Sequence, residues 1–175
     1  MAGVAKEETS DYIHSTLRER IVEHLFVGEA LRWLWVHRKA DLADVEVLRS
    51  EFDAGGYDLV MSYKKIVRHI QFKTTLVNGK RANINASLKL MDKPNGCIIW
   101  IFITPDLELH EYRWLGSPPG QAFLDINEMK PAKHTKGNAQ GKKAEKPQHR
   151  IISKAKFSKP CKLDEIMRHL FGEVQ

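Results

Sequence analysis

The stretch CIIWIFIT, residues 97–104, constrains the fold more than any other part of the chain. Successive side chains of a strand point to opposite faces of its sheet. A strand that is apolar at nearly every position is therefore buried on both faces. The run predicts one such strand inside a sheet.

The remaining elements are read around it. Residues 10–38 read as one long helix or two abutting ones, with Ser10 and Asp11 as N-caps. Apolar residues recur there at helical spacing, at Ile13, Leu17, Ile21 and Leu25, and again at Phe26, Ala30 and Leu34. Residues 45–52 suit a strand, 53–56 a turn, and 57–63 with 66–75 a hairpin joined through Lys64 and Lys65. Asn78-Gly79 signals a second turn. Residues 82–91 are ambiguous, and a short helix is expected. Residues 107–115 read as a further strand. Residues 163–172 read as an amphipathic closing helix with Gly172 at its end. No internal repeat is visible. The order predicts an α/β (α+β) fold, a mixed central β-sheet flanked by helices, in a single domain over residues 1–175.

Hydrophobic residues are 42% and charged residues 29% of 175, a balance suited to one globular domain with its own core. No run approaches the roughly 18 apolar residues of a membrane span. The N-terminal MAGVAKEETSDY lacks the apolar centre of a secretory signal. Cys97 and Cys161 have no metal-ligand spacing and make no disulfide framework. A reducing, cytoplasmic location is expected.

The net charge of +6 is unevenly distributed. Residues 130–162 carry eleven Lys/Arg against a single acid, Glu145, so the rest of the chain is mildly acidic. That asymmetry suits a polyanionic partner, or a solvated loop. Segment 130–160 reads as either disordered or an ordered loop that needs a ligand.

The chemistry-bearing residues cluster in the hairpin. Alternation along IVRHIQFKTT puts His69, Gln71 and Lys73 on one face and Arg68, Ile70 and Phe72 on the other. Glutamine and lysine side by side on a central strand are costly unless something satisfies them. Asp58 follows Gly55 and Gly56 and opens the partner strand, so an antiparallel hairpin brings it near both. A carboxylate, an amide carbonyl and an ammonium then converge. Mg²⁺ or Mn²⁺ takes oxygen ligands of this kind, and Lys73 suits a charge-stabilising role beside a phosphate. The plainer reading stands beside it: Asp58 caps a turn, Gln71 hydrogen-bonds in a polar core, and Lys73 snorkels at a sheet edge.

Asp58 followed on the next strand by Gln71-Phe72-Lys73 resembles the PD-(D/E)xK nuclease superfamily, and the glutamine variant is similar to Mrr-like restriction endonucleases. The resemblance covers roughly residues 15–115. It implies a restriction-endonuclease-like fold and a Mg²⁺-dependent endonuclease that hydrolyses phosphodiester bonds in DNA, in restriction, defence or repair. It implies Asp58 and Gln71 as metal ligands and Lys73 as a catalytic group. Tyr57 stands where the motif's proline would be, and Gln71 replaces an acid, removing one negative charge from the metal site. The resemblance also implies a glutamate from the first helix, for which Glu19, Glu23 and Glu29 are candidates. Glu29, within LFVGEALRWLW, is the choice, because an acid on that apolar side is hardest to explain by solvent exposure. Glu23 comes second. Asp58, Gln71, Lys73 and Glu29 form the expected catalytic set, with Asp58, Gln71 and Glu29 on the metal. Glu51 and Asp53 read as turn chemistry and surface charge, with an approach of one of them to the metal or the strand being cut as the alternative, and His69 reads as an edge residue or a further member of the site face.

Lys133, His134, Lys136, Lys142, Lys143, Lys146, His149 and Arg150 are the expected nucleic-acid contacts, with Gly137 and Gly141 letting backbone amides approach phosphates. No groove-reading helix is visible among them. Two other classes stay open: a catalytically inactive nucleic-acid-binding or partner-binding protein on the same fold, and an RNA-directed toxin or accessory subunit. Double-strand cutting by one small domain favours a homodimer. Trp33 and Trp35 mark either core or interface.

Overall fold

The computed structural model describes residues 2–50, 55–134, 141 and 143–173, with side chains from Thr16 onward except at Leu42. Helix α1 (Ala2–Arg38) leads into eight strands: β1 (Val45–Arg49), β2 (Leu59–Tyr63), β3 (Ile66–Leu76), β4 (Asn83–Ser87), β5 (Gly96–Ile103), β6 (Leu109–Gly116), β7 (Pro131–Lys133) and β8 (Glu145–Ser153). Helix α2 (Leu163–Phe171) follows.

Five strands form one sheet in the order β1-β2-β3-β5-β6. Strands β3 and β5 run parallel and every other neighbouring pair is antiparallel, so the sheet is mixed. The apolar run lands in β5, beside β3, and all eight residues of that strand, Gly96–Ile103, are buried. Cys97, Ile99, Ile101 and Ile103 pack with residues of α1 and α2. Ile98, Trp100 and Phe102 pack against a second sheet of order β4-β8-β7. Each fully buried isoleucine of this strand contributes roughly 1.5–3 kcal/mol. Helices thus cover one face of the central sheet and the second sheet covers the other.

Three expectations are corrected. Helix α1 starts at Ala2, so Ser10 and Asp11 lie within it rather than capping it; the preceding Ala, Lys and Glu residues are good helix formers. Residues 83–87 are a strand, with a short 3-10 turn at Leu88–Leu90. Ile84 and Ala86 are buried while Asn83 and Asn85 are exposed, a period of two that a helix does not produce. Segment 130–160 contributes β7 and β8 rather than a loop. Ala132 and Ile152 are fully buried, which anchors the basic stretch to the body.

Two arginines fasten α2. Arg68, wholly buried on β3, donates to the carbonyls of Leu170, His169 and Ser117 at 2.7–2.9 Å. Arg38 donates to the carbonyls of Phe171 and Gly172. Helix-end carbonyls have no intrahelical partner, and here guanidinium groups supply one. Trp33 is buried and its indole N–H donates to Asp164, whereas Trp35 is 60% exposed. Of the expected apolar positions on α1, Phe26, Ala30 and Leu34 join the core with Val22 and Trp33, while Leu17, Ile21 and Leu25 face outward.

Among the described residues no helix is long and apolar enough to cross a membrane. Cys97 and Cys161 are both unpaired and buried. Burial, offset in part by the Arg68 guanidinium, pushes the Cys97 thiol up to about 12.

Candidate functional site

The site begins with a strand that stops early. Pairing between β2 and β3 starts at Leu59↔Ile70, yet β3 continues to Leu76 with β5 on its other side. The edge of β3 beyond Ile70 is left open where β2 would have continued. Asp58 occupies the first place in that gap. Its backbone N–H donates to the Ile70 carbonyl at 2.9 Å, the last bond of the ladder. Its side-chain Oδ2 then accepts from the Phe72 N–H at 2.6 Å. The carboxylate thus satisfies a strand N–H that β2 no longer reaches, a short charge-assisted bond.

A cavity of about 480 Å³ opens beside this edge. Asp58, Phe72, Lys73 and Thr74 line it from the sheet. Glu19 and Glu23 line it from α1, and Arg81, Asn83, Ile84 and Asn85 line it from β4 and the loop before it. Glu23 is nearly buried and accepts from Arg49 Nη1 on β1 at 2.6 Å. Arg20 approaches the same oxygen at 3.7 Å.

Gln71 sits two residues before Lys73 on the same face, opposite Ile98, as alternation predicts. Its Nε2 donates to the Gly56 carbonyl at 2.9 Å, and its Oε1 is buried with no hydrogen-bond partner. Such an orphan acceptor is uncommon in a folded protein and calls for a partner. Gly56 holds φ at +74°, and a Cβ there would meet Ser87 at 2.9 Å. The glycine lets the chain leading to Asp58 pass tightly against the second sheet.

The structure brings Asp58 and Lys73 into one cavity; Gln71, on the Lys73 face, is buried and is not among the residues that line it. Glu29 is not among the residues that line it. It lies six residues beyond Glu23, about 9 Å along the helix and on a different face. Glu29 accepts from the Tyr112 hydroxyl at 3.1 Å and lines a separate cavity with Arg32, Trp33 and Leu163. Burial first, then the Glu29 charge and hydrogen bond, push the Tyr112 hydroxyl well up. The acids that α1 contributes to the site's cavity are Glu19 and Glu23. Glutamates four apart share a helix face, which is the signal that fits them. Among the described residues no group of three or more His, Cys, Asp or Glu is placed to hold a metal ion.

His69 is not among the residues that line the cavity, and its Nδ1 lies 2.7 Å from the Pro94 carbonyl. Glu51, Asp53, Lys136, Gly137 and Lys142 lie outside the described residues. Lys133 and Lys146 are on β7 and β8, Lys143 and His134 are exposed, and His149 pairs with Ser87 across β4. Arg150 spends its guanidinium on the carbonyls of Asn127, Pro147 and His149. The basic strand β8 is bonded directly to β4, whose Asn83 and Asn85 wall the cavity. Arg81, Asn83 and Asn85 were not singled out by their sequence; the alternation of asparagine with Ile84 and Ala86 was the available signal.

No protein-family model matches the chain, and no curated protein matches it in sequence.

Proposed function

We propose that the chain is a metal-dependent nuclease that hydrolyses phosphodiester bonds in DNA, in restriction, defence or repair. The observation that carries this reading is the joint exposure of Asp58 and Lys73 to one polar cavity on the open edge of β3. The resemblance of Asp58 and Gln71-Phe72-Lys73 to the PD-(D/E)xK pattern supports the same assignment.

The donor set fits a hard divalent cation. Asp58 offers a carboxylate, Gln71 an orphan carbonyl oxygen, and Glu19 or Glu23 a further acid. Such a cation, when bound, supplies Lewis-acid polarisation of a phosphate and a more acidic water. Lys73, which lines the same cavity, would offer an ammonium to the charge that builds on the phosphoryl oxygens of a bound phosphate. Arg81, Asn83 and Asn85 supply donors to the substrate backbone, and Lys133, Lys143 and Lys146 extend the positive surface over β7 and β8. The buried, unpaired cysteines support a reducing, cytoplasmic setting.

The test is a cleavage assay with Mg²⁺ or Mn²⁺ on plasmid, linear duplex, single-stranded DNA and RNA. Wild type is compared with Lys73→Ala and Glu23→Gln, with EDTA as control. Cleavage that needs the cation and Lys73 supports the reading. Equal cleavage by Lys73→Ala, or none on any substrate, sinks it. Preference for RNA in competition would favour the RNA-directed class.

A second reading is a non-catalytic nucleic-acid-binding protein. It is favoured by the absence of an acid at Gln71 and by the Nε2 bond to Gly56. Salt-dependent binding through β7 and β8, without cleavage, would select it.

A further inference from the structure

Helix α1 is apolar on two faces. One face carries Val22, Phe26, Ala30 and Trp33 into the core. The opposite face carries Leu17, Ile21, Leu25, Leu31 and Trp35, all exposed, between 38% and 60%. Leu17, Ile21, Gly28, Leu31 and Trp35 fall on the a and d positions of a seven-residue repeat, with His24 filling the remaining place. That spacing is the one with which a helix packs along another helix.

Gly28 sits in the middle of this strip. A Cβ built on it meets nothing within 4 Å, so the chain's own packing gives no reason for glycine there. Glycine inside a helix is unfavourable, and it is retained where another backbone approaches closely. The strip from Leu17 to Trp35 is about 27 Å long at the helical rise, and about one helix wide. Two such strips and their flanks, buried together, remove on the order of 1,000 Å² from water, about the least a specific dimer needs.

We propose that this face binds the same face of a second copy of the chain, with the two α1 helices crossing at Gly28. A partner with the matching seven-residue seam is required, and the chain itself carries one. An isologous contact of this kind closes after two copies. Glu19 and Glu23 lie on the other side of α1, so pairing through the strip leaves both cavities open. The proposal stands independently of the nuclease reading.

The experiment is sedimentation and light scattering of the full chain at ~100 μM, beside Ile21→Glu, Leu25→Glu and Gly28→Cys. Wild type is expected at twice 20.1 kDa. The two charged variants are expected to dissociate at least about tenfold more readily, with unchanged circular dichroism, since both positions are exposed. Gly28→Cys is expected to form a disulfide between copies under mild oxidation, while Lys93→Cys on a remote surface does not; the native thiols are buried. A wild-type mass of 20.1 kDa at this concentration overturns the proposal. So does a dimer that survives both charged substitutions. If the charged variants fail to fold, a dimer that Gly28→Cys does not cross-link overturns it equally.

Discussion

The backbone N–H of Phe72 donates to Asp58 Oδ2 at 2.6 Å, so one carboxylate both terminates a strand pairing and lines the cavity. The two duties separate by substitution. Asp58→Asn keeps an acceptor for Phe72 and should cost under ~1 kcal/mol of stability. Asp58→Ala leaves that N–H without its acceptor and should cost roughly 1.5–3 kcal/mol. Both should lose at least about a hundredfold in cleavage. Urea midpoints and cleavage rates measured on the same preparations check this; an active Asn variant would remove Asp58 from the chemistry.

Gln71→Glu adds the acid that the superfamily pattern carries here. Without metal, a carboxylate in this buried place lowers stability, by about 1–3 kcal/mol, and the bond to the Gly56 carbonyl is lost as well. With Mn²⁺ the variant should regain more melting temperature than wild type gains, because a ligand that binds only the folded state stabilises it. Thermal melts across a Mn²⁺ titration decide it. Equal metal responses in the two proteins would show that position 71 is not a ligand.

Arg68→Met should destabilise the fold by about 3–5 kcal/mol, because three buried or half-buried carbonyls lose their donor at once. Burial lowers the pKa of Arg68 yet leaves it a cation at neutral pH, held by carbonyl oxygens and by the Trp114 ring 5.5 Å away. Arg68→Lys should recover part of the loss, since an ammonium reaches fewer of the three. Denaturant midpoints measure both. The cleavage proposed for Lys73, on the other face of β3, should be unaffected in the molecules that fold.

His169 stacks on Trp114, with ring planes 5° apart, and burial lowers its pKa below the ordinary 6.5. A group whose folded pKa is depressed gives stability that is present above its unfolded pKa and lost as pH falls through the folded one. The wild type should therefore hold its melting temperature from pH 8 to about 6.5 and lose it progressively below. His169→Gln should flatten that decline. Melting curves at closely spaced pH values compare them, and parallel declines would exonerate His169.

The legible parts of the fold were those with one strong local signal. CIIWIFIT specified a strand buried on both faces because no other placement hides it, and the hairpin declared itself through its turn and alternation. Asp58 and Lys73 were legible because strand geometry alone brings them together. Strand β4 was missed because Asn-Ile-Asn-Ala-Ser is too short and polar to outweigh Ser87-Leu88-Lys89-Leu90, which does form a helical turn. Strand β8 is not visible in the sequence because a Lys- and Gly-containing stretch precedes it and Pro147 interrupts it; its order comes from pairing with β4, some sixty residues away in the chain. The apolar neighbours of Glu29 in the sequence suggest a buried acid, but Glu29 is exposed and accepts a hydrogen bond from Tyr112 away from the cavity. Which face of α1 meets the cavity depends on how the helix lies across the sheet, and periodicity alone does not contain that.

The parallel neighbours β3 and β5 are joined through β4, which belongs to the other sheet. A segment that walls the cavity therefore lies, in sequence, between the two central strands. Non-local pairing of this sort is slow, because loop closure precedes the contacts that reward it. The β4 wall of the cavity and the pairing of β3 with β5 both rest on contacts between residues far apart in the chain. A nascent chain that has not yet presented residues 145–153 to β4 would carry Asp58 and Lys73 without the β4 wall of their cavity held in place.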